Sequence, residues 1–179
     1  MTIISGFFVV NQAKNFGVLN GLNNDRDLSL IASIGALFDV MRFLWSWWLD
    51  YTSFKKVFGT LIACQIFLNF TIFVADKTWY SYALWVWMFM FCQGGVLVLM
   101  PNIFKRIYGS KAIAVYGFFG SFVSMTSLIQ IGLNELFLKD TIRSYNAFFI
   151  ANGILSCCAI ALLLTQFDEK PYVPKCHRV

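Results

Sequence analysis

The sequence predicts an all-α membrane protein with several spanning helices. Of its 179 residues, 59% are hydrophobic and only 13% are charged, which is too little charge to cover the surface of a soluble domain. The apolar residues fall into long runs separated by short polar breaks. Each run holds about 20 residues, the length needed to cross the hydrocarbon core of a bilayer. We therefore expect a single transmembrane domain over residues 1–179.

Five full spanning helices and one incomplete helix account for the apolar runs. The full spans are predicted at 28–49, 57–75, 79–100, 112–134 and 145–167. The N-terminal run 1–13 would reach only about 20 Å as a helix, short of the ~30 Å core. It is therefore either half of a spanning helix or a helix lying in the membrane interface. Pro171 and Pro174 disfavour further helix in the polar tail 168–179.

The distribution of Lys and Arg predicts the orientation in the membrane. The bias places loops 51–56 and 102–111 and the C-terminus on the cytosolic side, or on the matrix side in a mitochondrion. The net charge of +5 is explained in this way and does not indicate a nucleic-acid partner. The many phenylalanines would suit a mitochondrial inner membrane. The basic residues assigned to the cytosolic or matrix side are Lys55, Lys56, Lys105, Arg106, Lys111, Lys170, Lys175 and Arg178. Those assigned to the opposite side are Lys14, Arg26, Lys77, Lys139 and Arg143.

Two charges stand near the middle of the first full span. Asp39 and Arg42 are three positions apart and therefore share one face of a helix. At that depth each charge costs at least about 2.5–3.5 kcal/mol. Two interpretations are open. The pair is either a site for a substrate, proton or ion facing a cavity, or a self-neutralising pair that locks the helix into a bundle.

Other polar residues within the predicted spans are explained by interhelical hydrogen bonds, which contribute about 0.6 kcal/mol each. Gln93 and Gln130 are the two that we expect to line a cavity. No nucleophile–base pair, phosphate loop or paired carboxylates indicate an enzyme. Cys176 and His177 lack the further ligands of a zinc site, so we expect no metal and no cofactor. The polar residues within the spans for which we expect interhelical hydrogen bonds are Gln65, Asn69, Gln93, Gln130, Asn134 and Asn152.

Small residues predict where helices approach one another closely. Gly94 and Gly95 let another backbone come near or let the helix bend. Gly117, Ser121 and Ser124 share one helical face and predict a close-packing seam. Among the tryptophans, Trp48 and Trp79 suit an interfacial belt, and Trp45, Trp47, Trp85 and Trp87 are expected to face lipid or protein.

Three segments resemble a known transporter family. The segment FCQGGVLVLMPNIFKRIYGSKAIAVYGFFGS resembles helices ten and eleven of a major facilitator superfamily transporter, most of all in its oxalate–formate and monocarboxylate branch. GALFDVMRFLWSWWLDYTSFKK is similar to helix eight and its following loop in that branch, and AKNFGVLNGLNNDRDLSL resembles the end of helix seven. The resemblance covers nearly the whole chain. It implies the C-terminal half of such a bundle, from the end of helix seven to helix twelve.

The resemblance implies roles for the charged residues. Arg42 falls on the helix-eight arginine that faces the central cavity and pairs with a substrate carboxylate. Asp39 falls near the polar or acidic partner of that arginine, three positions before it where four are expected. Asp50, Lys55 and Lys56 match a loop motif whose charges tie helix ends together.

Some positions depart from the family pattern. Ser46 stands where a glycine is expected, and Tyr51 where a basic residue is expected. Oxalate-type carriers use a lysine in helix eleven, whereas residues 112–134 contain no basic residue. A dicarboxylate clamped between two cations is therefore not implied.

Two functions follow as alternatives. In the first, the chain is a non-catalytic accessory subunit, derived from a transporter half, of a larger membrane complex. Its partners are then the lipid bilayer and other membrane subunits. In the second, it is half of a carrier for small monocarboxylates that works only with a second half. Arg42 would then bind the carboxylate and Asp39 would take a proton. A fragment of a full transporter is a third possibility.

Overall fold

The computed structural model describes residues 13–22, 24–72, 78–133 and 142–167, and over these residues the protein is helical without any strand. Most of the predicted N-terminal element 1–13 and the whole tail 168–179 lie outside the described residues. In chain order the helices are α1 (13–19), α2 (Asp25–Val40), α3 (Phe43–Tyr51), α4 (Phe54–Phe70), α5 (Trp79–Tyr108), α6 (Ala112–Leu133) and α7 (Ile142–Gln166), and a 3-10 turn (Gly109–Lys111) joins α5 to α6. The predicted all-α class is confirmed.

Local sequence signals fix the helix ends. At the start of α2, the side chain of Asn24 accepts a hydrogen bond from the amide of Arg26, and acidic residues follow in the first turn. Helix α5 begins with a capping box, in which Thr78 and Ser81 satisfy each other's backbone amides. Helix α5 ends at Tyr108 and is capped by Gly109, whose φ of 54° is a conformation that favours glycine. These ends are therefore dictated by short-range chemistry.

Within the described residues, three helical stretches are long and apolar enough to cross a membrane, judged by length and composition. They are Asp25–Tyr51, Trp79–Ile129 and Tyr145–Thr165. The predicted span 79–100 and most of the predicted span 112–134 thus fall in one stretch of 51 residues. Helix α4, which covers most of the predicted span 57–75, has 17 residues. Three apolar stretches fit a membrane-embedded protein, and the count of five spans stays a prediction.

The long stretch is folded back on itself at the Gly109–Lys111 turn. The rings of Phe104 in α5 and Phe119 in α6 lie 5.6 Å apart. In one straight helix, residues fifteen positions apart would be separated by about 22 Å. The chain therefore reverses between α5 and α6, so that the two helices are separate elements that pack side by side near the turn.

Helix α5 is the centre of the bundle. It contacts α2, α3, α4 and α6, and α7 packs against α4. The core along α5 is fully buried at Val86, Phe89, Val96 and Leu99. Glycine lets α7 approach α4 closely, because a Cβ built at Gly153 would lie 3.0 Å from the ring of Phe70.

Helix α6 presents most of its apolar surface outward. In the described part of the chain its only helical neighbour with more than marginal contact is α5. Ile113 is 86% exposed and Leu128 is 70% exposed. A Cβ built at Gly117 would meet no atom within 4 Å, so the predicted seam of small residues has no described neighbour packed on it. An apolar surface of this kind suits lipid or another protein rather than water.

Candidate functional site

The first predicted span is interrupted at the charged pair. Helix α2 ends at Val40 and α3 begins at Phe43, which leaves Met41 and Arg42 between them. Hydrogen bonds of the i to i−3 type cross the break, from the Arg42 amide to the Asp39 carbonyl (3.2 Å) and from the Trp45 amide to the Arg42 carbonyl (3.1 Å). Such 3-10 geometry within a helix marks a hinge or local strain. The sequence did not indicate this break, since no proline or glycine stands there.

The Asp39 and Arg42 side chains form a loose ion pair that opens outward. Nη1 of Arg42 lies 3.8 Å from Oδ2 of Asp39. The side chain of Arg42 is 44% exposed and that of Asp39 is 42% exposed. A guanidinium carries five N–H donors, so Arg42 keeps donors for a second anion. Chemically, the pair can hold a carboxylate at Arg42 and exchange a proton at Asp39. It can equally be covered by a neighbouring protein surface.

Gly94 and Gly95 of α5 pack directly against the break. A Cβ built at Gly94 would collide with Oδ1 of Asp39 and lie 3.0 Å from Cβ of Arg42. A Cβ built at Gly95 would lie 2.6 Å from Cδ1 of Leu61 and 2.7 Å from Cδ1 of Trp45. Real side chains do not approach so closely. The paired glycines therefore allow the broken helix and α4 to sit against α5, as their sequence predicted in general terms.

Tryptophan side chains form hydrogen bonds between α5 and the helices that pack against it. The indole N–H of Trp45 donates to the carbonyl of Phe91 in α5 at 3.2 Å, and the Trp45 ring is 6% exposed. Two further indoles donate across helices, Trp85 to Leu68 (2.8 Å) and Trp87 to Ile31 (2.9 Å). Sequence analysis placed these tryptophans only as facing lipid or protein. Their partners are backbone carbonyls, which carry no sequence signal.

Gln93 is the neighbour of Gly94, which packs against the charged pair, but its side chain forms no hydrogen bond with that pair. It precedes Gly94 on α5 and is only 3% exposed, whereas the pair is open. Within the described residues, its amide nitrogen and oxygen have no hydrogen-bond partner. The side chain of Gln65 in α4 is fully buried, and its amide nitrogen and oxygen also have no hydrogen-bond partner among the described residues. The predicted interhelical hydrogen bonds are therefore not formed by the side chains of Gln93 and Gln65. Gln130 lies in α6, and its side chain falls outside the described part of the structure.

The charges of the predicted loop motif lie at helix ends on one face of the bundle. Asp50 is 4.0 Å from Arg106, which joins the end of α3 to the end of α5. Nζ of Lys55 donates to the carbonyls of Leu164 (2.8 Å) and Phe167 (3.4 Å) at the end of α7. A cation there also complements the negative end of the helix dipole. Lys56 is exposed.

Replacing Lys55 with methionine is expected to lower the free energy of unfolding by about 1.5 kcal/mol, because hydrogen bonds to charged groups contribute in this range and Lys55 is only half-buried. Lys56→Met is the matched control, since that side chain is exposed and its loss should cost less than about 0.5 kcal/mol. Thermal unfolding of the purified variants measures both changes. Equal loss in the two variants would contradict a specific role for Lys55.

An apolar groove of about 860 Å³ lies between α4 and α5. The hydroxyls that line it are already hydrogen-bonded to backbone carbonyls, Thr60 to Lys56, Thr71 to Phe67 and Ser81 to Thr78. The groove therefore offers hydrocarbon rather than polar chemistry. The charged break, not this groove, is the candidate functional site.

Within the residues that the structure describes, no group of three or more His, Cys, Asp or Glu side chains could hold a metal ion. The four cysteines in that part of the chain are free thiols. Comparison with protein-family models, with curated proteins and with solved structures finds no match. The charged break at Met41 and Arg42, with Asp39 beside it, is therefore the feature that points to a function.

Proposed function

We propose that this protein is a non-catalytic membrane subunit whose Asp39–Arg42 face works against another protein surface. The observation that carries the proposal is the position of the pair, halfway along an apolar stretch and more than 40% exposed. An exposed charge pair contributes only about 0–1 kcal/mol in water, and lipid hydrocarbon would solvate it poorly. A covering subunit would remove the pair from lipid.

The origin of the subunit is part of the proposal. We take it to derive from the C-terminal half of a major facilitator superfamily transporter, with five spans and an incomplete sixth element. Helix α4, which corresponds to the predicted span 57–75, would be about 26 Å long. This is near the thickness of the hydrocarbon core, so α4 is long enough to be a further spanning helix with little mismatch. The basic face around Lys55 and Arg106 would lie on the cytosolic side or, in a mitochondrial inner membrane, on the matrix side.

A second candidate function is half of a carrier for small monocarboxylates, completed by another half. The break at Met41 and Arg42 favours it, since discontinuous helices often form the sites of secondary transporters. Arg42 would bind the carboxylate, and Asp39 would take a coupled proton. The spare donors of Arg42 leave room for such a ligand.

Co-purification and uptake separate the two functions. The full chain is isolated from native membranes in mild detergent, and the proteins that accompany it are identified. The wild type and the Arg42→Ala variant are then placed in liposomes with whatever accompanies them, and uptake of a small monocarboxylate is measured. We expect stable partner proteins and no uptake by either preparation.

Arg42-dependent uptake would overturn the subunit proposal in favour of the carrier. The double variant Asp39→Asn/Arg42→Gln serves as a second readout, because it removes both charges while keeping a polar side chain at each position. A subunit should still assemble with its partners when the pair is neutral, whereas a carrier should lose uptake.

A further inference from the structure

A small pocket lies at the turn between α5 and α6. Its volume is about 370 Å³. Lys105 and Ser110 supply a cation and a hydroxyl to its wall, and Pro101, Ile113 and Tyr116 supply apolar and aromatic surface. Because α5 and α6 are both apolar and the chain reverses between them, this turn would lie where the two helices leave the hydrocarbon of a membrane. The pocket thus combines polar and apolar walls and, in a membrane, would face the interface.

The charge around this pocket is positive and largely uncompensated. Residues 79–133 contain Lys105, Arg106 and Lys111 but no Asp or Glu. Arg106 lies 4.0 Å from Asp50 of α3. In the part of the chain that the structure describes, no carboxylate lies within 4.0 Å of Lys105 or Lys111. The residues that line the pocket include no carboxylate, and Lys105 and Lys111 remain available to a ligand in the described part of the chain.

We propose that this pocket binds the head group of an anionic phospholipid, with the phosphate at Lys105 and Ser110. The apolar wall formed by Pro101, Ile113 and Tyr116 would contact the glycerol and the first acyl carbons. Ile113 is 86% exposed, which is unfavourable in water and suits lipid. A soluble phosphate would leave that wall bare, which is why we assign the site to a lipid.

The charge pattern also selects the class of lipid. A zwitterionic head group brings an ammonium that needs an acceptor, and no carboxylate lines this pocket. An anionic head group needs no such acceptor. Basic pockets on the cytoplasmic or matrix side of membrane proteins bind anionic head groups for this reason. The site should therefore prefer anionic over zwitterionic lipids.

Native mass spectrometry of the delipidated full chain tests the proposal with phosphatidylglycerol and phosphatidylcholine as probes. We expect Lys105→Gln to weaken phosphatidylglycerol binding about fivefold, and Lys105→Gln/Lys111→Gln to weaken it further. Lys56→Gln, an exposed lysine outside the pocket wall, is the control and should bind as the wild type does. Phosphatidylcholine binding should be weaker and unchanged in every variant.

Three results would overturn the proposal. The first is unchanged phosphatidylglycerol binding in both Lys105→Gln and the double variant. The second is an equal loss in Lys56→Gln, which would mean attraction by charge on this face rather than a pocket. The third is displacement of the lipid by millimolar inorganic phosphate, which would make the ligand a soluble phosphate compound. Thermal unfolding without lipid checks that each variant is folded.

Discussion

The Gly95→Ala variant is expected to be less stable than the Gly120→Ala variant by about 1–3 kcal/mol, the range measured for overpacked interiors. A Cβ at Gly95 would lie within 3 Å of Leu61 and of both Cδ1 and Nε1 of Trp45. Trp45 would have to move, and its hydrogen bond to the Phe91 carbonyl would be lost. Neither neighbour can yield easily, because Leu61 is fully buried and Trp45 is 6% exposed.

Gly120 supplies the matched control for this variant. It also lies inside a helix, and a Cβ built there meets no atom within 4 Å. Both substitutions gain the same intrinsic helix propensity of up to about 1 kcal/mol, so the difference between them isolates the clash. Thermal or chemical unfolding in a fixed detergent measures it. Equal stability of the two variants would show that α3 does not sit against Gly95 as the structure has it.

Single removal of Asp39 or Arg42 is expected to cost more than removal of both. Asp39→Ala or Arg42→Ala leaves one lone charge in an apolar stretch, at a cost of about 2.5–3.5 kcal/mol in a bilayer. The double variant Asp39→Ala/Arg42→Ala leaves none, so its stability should lie close to that of the wild type. The measurement is a double-mutant cycle on unfolding in lipid bicelles.

The environment provides the control for this cycle. In detergent micelles that leave the half-exposed pair in contact with water, the coupling should fall to about 0–1 kcal/mol. Additive costs in bicelles would mean that the two charges have separate partners. That outcome would remove the basis for treating Asp39 and Arg42 as one site.

The helices themselves were predictable because their signals are local. The apolar run predicted a helix that begins at Trp79, and the observed start of α5 matches it; the structure adds the Thr78–Ser81 cap at that start. Its end differs, since the helix continues through Pro101 to Tyr108 rather than ending at 100. The charged residues near the helix end prolong it beyond the apolar run, and hydropathy cannot detect that extension.

The candidate site was predictable only in its ingredients. The sequence shows Asp39 and Arg42 as two charges within an apolar run. It also indicates, through Gly94 and Gly95, that another helix approaches closely there. The resemblance that singled out Lys55 also led to a residue that holds the end of α7 through backbone carbonyls. Which helix each glycine would meet, and which carbonyl each tryptophan would reach, depends on side chains distant in the sequence.

The sequence by itself determined the helical class, the apolar character of the chain and the positions of its charges, because these depend on residue type and local order. The tertiary structure alone decided that α2 and α3 break at Met41 and Arg42 and that the charged pair opens outward while Gln93 is enclosed. The physical reason is contact: the broken helix lies where α5 approaches closely, at Gly94 and Gly95. Such an approach is a property of two surfaces together, and neither segment specifies it alone.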